Sequence, residues 1–155
     1  MVVAVGSNIY SVTWNTIYNV LSGNVTDPQI VGVRKSNARF FMMSDYPDAQ
    51  ANFFPGWPIL TIEPITSTTS QATFSQSPLN ENSVGTSIWM FSRSSRELDI
   101  LSDNVRNALL TNRQAFATSG LGNLNITNTS NDIEFHGNDR IHTKRMDIEL
   151  RAVTN

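Results

Sequence analysis

Cysteine is absent from the chain, and with it go disulfides, thiolate metal sites and a cysteine nucleophile. Charge is scarce as well: Asp, Glu, Lys and Arg make up 15% of the residues, against about 25% in ordinary soluble domains. Ser, Thr, Asn and Gln take their place, so much of the surface must be neutral and polar. Few like charges then hold neighbouring copies apart, a condition that suits a protein living in an assembly. There is no excess of positive charge either. The formal net charge of −2 argues against a broad basic face that binds nucleic acid by neutralising phosphates. The opening segment Met1–Gly6 is apolar but short and has no basic residue, and it reads as neither a signal peptide nor a membrane span.

What is present is enough apolar material for a core. Hydrophobic residues make up 39% of 155 positions, which fits one domain over the whole length. Ile9, Val12, Thr13, Ile17, Val20 and Leu21 recur at three or four residues, the spacing of one helix face. Ser7 or Asn8 is placed to cap that helix and Gly23 or Asn24 to end it. Phe40–Met43 is a short apolar run that reads as a strand. Asp45–Pro58 is a loop rich in proline and aromatics, since proline is excluded from helix interiors and central strands. Ile59–Glu63 is a strand whose end Pro64 confines to an edge or a bulge. Residues 66–83 are mostly Ser, Thr, Gln and Asn and form either a mobile loop or a long hairpin arm. In Val84–Ser92, Ile88 and Met90 alternate with Trp89 and Phe91, so both faces of this strand are apolar and it belongs inside the sheet.

The strongest local signal follows. Ser94 and Glu97 stand as a capping box: the serine hydroxyl accepts a first-turn N–H while the glutamate reaches back to the N-cap amide. Leu98, Leu101, Val105, Ala108, Leu109 and Phe116 make one apolar stripe. Asp99 and Asp103 lie early, Arg106 and Arg113 late, as the helix dipole favours, and Gly120 is a suitable stop. After it, Leu124 and Ile126, then Ile133 and Phe135, read as two short strands with an Asn/Thr/Ser turn between them. Met146, Ile148, Leu150 and Ala152 alternate with charged residues in a final strand, and the displaced phase of Ile141 places a bulge near Thr143–Lys144. The pattern predicts an α+β fold: a mixed, mostly antiparallel sheet with two main helices on one face.

A search for chemistry returns little. His136 and His142, the only histidines, are six residues apart and match no common zinc spacing. Gly120-Leu-Gly122 leaves a helix instead of entering one, the wrong direction for a phosphate loop. No serine sits in a nucleophile-elbow motif. The residues therefore predict no catalytic group, no metal site and no cofactor. Arg34, Lys35 and Arg39 form one small basic cluster and Lys144–Arg145 another; both read first as solvated charge, with contact to nucleic acid or an acidic partner as the alternative. Phe53, Phe54 and Trp57, set among prolines, either anchor an interface or fold back as a lid over the sheet.

The order of these signals resembles the tail-terminator, or tail-completion, proteins of long-tailed bacterial and archaeal viruses. The resemblance lies in an N-terminal helix, Tyr46-Pro-Asp48, and the strand Pro58-Ile-Leu-Thr-Ile-Glu63. It continues through Thr86-Ser-Ile-Trp-Met-Phe-Ser92, Ser95-Arg-Glu-Leu-Asp-Ile-Leu-Ser-Asp103, Gly120-Leu and Arg140-Ile-His-Thr-Lys144. It implies a virion subunit that forms a hexameric ring, caps the tail tube, stops its polymerisation and docks it to the head connector. The partners implied are further copies of the chain, the tail tube protein and the head–tail connector, with the genome passing through the lumen without specific binding and no membrane involved. Candidate interface residues under that reading are Phe53, Phe54 and Trp57 in the aromatic loop, and Phe74 and Leu79 in the Ser/Thr-rich arm. The alternatives are another neck or minor tail component, a small ligand-binding or hydrolase domain, and a nucleic-acid module.

Overall fold

The computed structural model describes residues 8–27, 42–43, 56–72 and 79–154. It begins with α1 (Ile9–Asn24), which buries Ile9, Thr13, Ile17, Val20 and Leu21 along the expected stripe. The side chain of Asn8 makes no cap bond. Instead the threonine hydroxyls of this β-branched helix turn back on their own backbone. Thr13 donates to the Ile9 carbonyl and Thr16 to that of Val12, each at 2.7 Å, which lets Thr13 sit buried without an unpaired hydroxyl. Trp14 stacks on Tyr18 with ring centroids 5.3 Å apart and donates its indole N–H to the Ile62 carbonyl at 3.3 Å, tying the helix to the sheet.

That sheet has six strands: β1 (Met42–Met43), β2 (Ile59–Ile62), β3 (Thr66–Ala72), β4 (Leu79–Ser92), β5 (Leu121–His136) and β6 (Asp139–Thr154). The order is β1-β2-β4-β6-β5, with β3 lying beside β4 as well. Among the described residues only β1 and β2 run parallel; the other pairings are antiparallel. The fold is α+β, as the patterning predicts. Strands β2 and β3 share one side of β4 and are separated at Glu63–Ile65, where Pro64 has no N–H to give to the ladder. Within the Ser/Thr-rich stretch the described residues of β3 pair antiparallel with the start of β4, which is held between β3 and β6.

Strand β4 carries apolar side chains on both faces. Val84, Ile88 and Met90 join the main core with Leu60, Ile62, Met146, Ile148 and Leu150 beneath α1 and α2 (Ser95–Thr111). On the opposite face Phe91 packs with Ile59 and Ile141, and Trp57 and Trp89 lean on that smaller cluster.

Ser94 caps α2 as the sequence reads, while the return leg runs through Ser92. The Ser94 hydroxyl accepts the Glu97 N–H at 3.3 Å. Ser92 joins the return leg: its hydroxyl donates to the Glu97 carboxylate and accepts the Ser94 N–H, the latter at 3.1 Å. Buried Ser92 thus binds the end of β4 to the start of the helix.

Four expectations need correction. The stripe from Leu98 to Phe116 is not one helix, because the chain breaks at Asn112 and resumes as α3 (Arg113–Thr118). Asn112 competes with the helix from its own side chain, which donates to the Ala108 carbonyl at 2.8 Å. Arg113 therefore opens α3 and does not close α2, whose last turn holds no base. Gly120, at φ 80°, does end α3. Second, Leu121–His136 is one strand, not two with a turn, because β6 supplies a ladder along its length. Third, the irregularities are not at Thr143–Lys144: β6 keeps unbroken register with β4 from His142 to Thr154, and the extra residues lie in β5 between Gly122 and Asn125 and between Ile126 and Asn128. Ile141 is out of phase with Met146 because it faces the second cluster, on the other side of the sheet. Fourth, Lys144 and Arg145 do not form one basic cluster, since strand alternation sends them to opposite faces.

Candidate functional site

Two features of the sheet stand out as places where a partner could act: its open face, opposite the helices, and the β5–β6 hairpin.

The open face is built from the odd-numbered positions of β4 and β6. Trp89 donates its indole N–H to the Glu63 carboxylate at 2.7 Å, and the Arg145 guanidinium lies over the Trp89 ring, 5.4 Å from its centroid. Arg145 Nε donates to Asp147 at 2.6 Å. The same carboxylate accepts from Ser87 at 2.6 Å and from Asn128 at 3.4 Å. Burial alone pushes the Asp147 carboxyl up, but the hydrogen bonds from Ser87, Arg145 and Asn128 and the Arg145 charge outweigh it and hold it below the usual carboxylate range. Further along, Ser83 donates to Glu149, and Arg151 pairs with Glu81 at 3.1 Å. Two of these acids meet a base, Asp147 along β6 and Glu81 across β4 and β6, while Glu63 and Glu149 accept from Trp89 and Ser83.

Lys144, on the helix side, pairs with Asp99 of α2 at 2.6 Å and its side chain is mostly buried. Lys144 and Arg145 are thus each engaged by a carboxylate, on opposite sides of the sheet.

Among the described residues four large apolar side chains are exposed: Tyr10 on α1, Ile100 on α2, and Ile133 and Phe135 together on the hairpin. Beyond Ser92, which pairs with His142, β5 and β6 continue together to His136 and Asp139. Here Ile133 is 41% exposed and Phe135 73% exposed. Both lie on the helix side, as their pairing with His142 and Arg140 requires. A cleft of about 420 Å³ separates this strand from the first turn of α2, lined by Ser95, Leu98, Asp99, Asn131, Ile133 and His142.

Of the residues expected to serve an interface, Trp57 takes the covering role, half-buried against Ile59, Phe91 and Ile141. Leu79 opens β4 opposite Ala72. Phe53, Phe54, Phe74, Arg34, Lys35 and Arg39 lie outside the described residues. The sequence reading missed the Glu63–Trp89–Arg145–Asp147 network, although the period-two alternation of β4 and β6 already sets these side chains on one face. Among the described residues no group of three His, Asp or Glu is gathered closely enough to hold a metal ion, and no helix is long and apolar enough to cross a membrane. The chain matches no protein-family model and no curated protein.

Proposed function

We propose that the protein is a structural virion subunit that closes into a ring, hexameric as the resemblance implies, at the end of the tail tube. There it ends tube growth and joins the tail to the head connector. The observation that carries the reading is the projecting β5–β6 hairpin, which holds Ile133 and Phe135 out in water. An aromatic and an aliphatic side chain on a paired strand have no benefit for the isolated chain, but are ready-made anchors for a docked surface. The neutral surface supports the same role, because it does not repel further copies. A lumen without a surplus of bases would let the genome pass without gripping it, and no step in this role needs a catalytic group.

The test is to add the purified protein to assembled tail tubes of the virus that encodes it and to image the mixture by electron microscopy. Density confined to the tube ends is the expected result. Density along the tube sides, or none, would overturn the reading. Ile133→Ser with Phe135→Ser should abolish end binding while leaving the melting temperature within a few degrees, because both side chains are exposed.

A further inference from the structure

Strand β5 ends the sheet on one side, and on the other β3 lies beyond β4 while β1 lies beyond β2. Among the described residues β5 pairs only with β6, and β3 only with β4. The bulges of β5 lie before Asn128, so the strand runs straight from Asn128 to His136. Edge strands are normally blunted by lysine, proline, a bulge or a covering element. Neither Asn128–His136 nor Thr66–Ala72 contains a lysine, an arginine or a proline; β5 does carry Asp132 and Glu134, and the Asp132 carboxylate accepts the Ile133 N–H at 2.7 Å, so that one backbone donor is already taken. Thr66, Thr68 and Thr69 on one edge and Asn128 to Ile133 on the other are exposed.

We infer that the β5 edge of one copy receives the β3 edge of the next, extending the sheet from subunit to subunit. Charge selects this pairing. Two β5 edges joined antiparallel about Asp132 or Ile133 would set acidic side chains of the two copies opposite one another, which destabilises a sheet. Strand β3 has no charged residue, so it meets Asp132 without repulsion. Length fits as well, since the seven residues of β3 are spanned by the straight part of β5. Two β3 edges could pair with each other, but that would leave β5 open; the β5–β3 contact uses one edge from each side of the sheet at once and leaves β1 aside. Such a contact is heterologous, one patch meeting a different patch, and its repetition gives a ring when the rotation closes. The assignment rests on the ring reading above in taking a second copy as the occupant.

The absence of cysteine makes the test clean. Thr68 and Ser130 both point to the open face, through their pairings with Ser83 and Arg145, and a continuous sheet keeps them on the same side. The full chain carrying Thr68→Cys and Ser130→Cys, treated with a short bis-maleimide, should run as a ladder of covalent multimers on a denaturing gel. A mixture of the two single variants should give dimer, and neither single variant alone should. Adding Ser130→Lys to an otherwise unchanged chain should lower the mass in solution without lowering the melting temperature. Dimer from Ser130→Cys alone would overturn the inference in favour of β5 self-pairing. No cross-link in a sample whose light-scattering mass is that of several copies would overturn the edge assignment and leave the ring standing. No cross-link in a monomeric sample would also overturn it, while the ring reading would still be decided by the tail-tube images.

Discussion

At the scale of single residues, the open face turns on Asp147. Its carboxylate accepts three hydrogen bonds and faces the Arg145 charge, so the folded state favours the ionised form more than the unfolded chain does. A carboxyl depressed in this way contributes stability above its unfolded pKa and loses that contribution as pH falls through the lower, folded value. The loss therefore begins near the ordinary aspartate value, 3.8, and deepens below it. Asp147→Asn should lower the melting temperature at neutral pH, and the gap from the parent protein should narrow as pH is taken below that value. Melting curves between neutral and strongly acidic pH would check this; a gap that stayed constant would show that the charge of Asp147 does not matter. The neighbours Lys144 and Arg145 teach a related lesson. They are adjacent in sequence, yet one meets Asp99 beside a helix and the other meets Asp147 on the far face, because the strand period separates consecutive side chains.

At the scale of elements, the α2 start is the clearest meeting of sequence and structure. A capping box is local, set within four residues, so no distant contact is needed to read it. Ser94→Ala with Glu97→Ala should lower stability by about 1–2 kcal/mol, measured by urea unfolding. An unchanged midpoint would mean that Ser92 and the buried stripe alone define the start. Elements that depend on distant partners were less legible. Strand β5 is rich in Asn, Thr and Ser, which favour turns over strands, and it forms only because β6 pairs with it throughout. Its two extra residues also scramble the alternation on which strand reading depends. The break at Asn112 was hidden for another reason. The apolar stripe continues into Phe116, so periodicity stays helical while the backbone turns at Asn112, whose side-chain and backbone N–H both bond the Ala108 carbonyl. Ile133 and Phe135 were visible as apolar residues, but nothing in the sequence told that the hairpin carries them past the end of β4.

At the scale of the whole molecule, one sheet is covered by helices on one face and bears a smaller apolar cluster on the other. The two clusters share strands: on β4, Ile88 and Met90 belong to the first while Phe91 belongs to the second. Neither set can leave its packing while the β4–β6 ladder, continuous from Asn80 to Ser92, stays intact under it. The two faces should therefore unfold together, in one cooperative transition. The tryptophans make this measurable, because Trp14 sits on the helix side while Trp57 and Trp89 lean on the second cluster. In a Trp14→Phe variant, fluorescence reports the open face and far-ultraviolet circular dichroism reports the helices and the sheet. The two signals should share a midpoint in urea. A fluorescence change at lower urea would show the second cluster opening while the sheet stands, and the open face would then be a surface that rearranges before the fold is lost. Coincident curves would make it instead a rigid platform, held flat by the same strands whose edges are offered to the next copy.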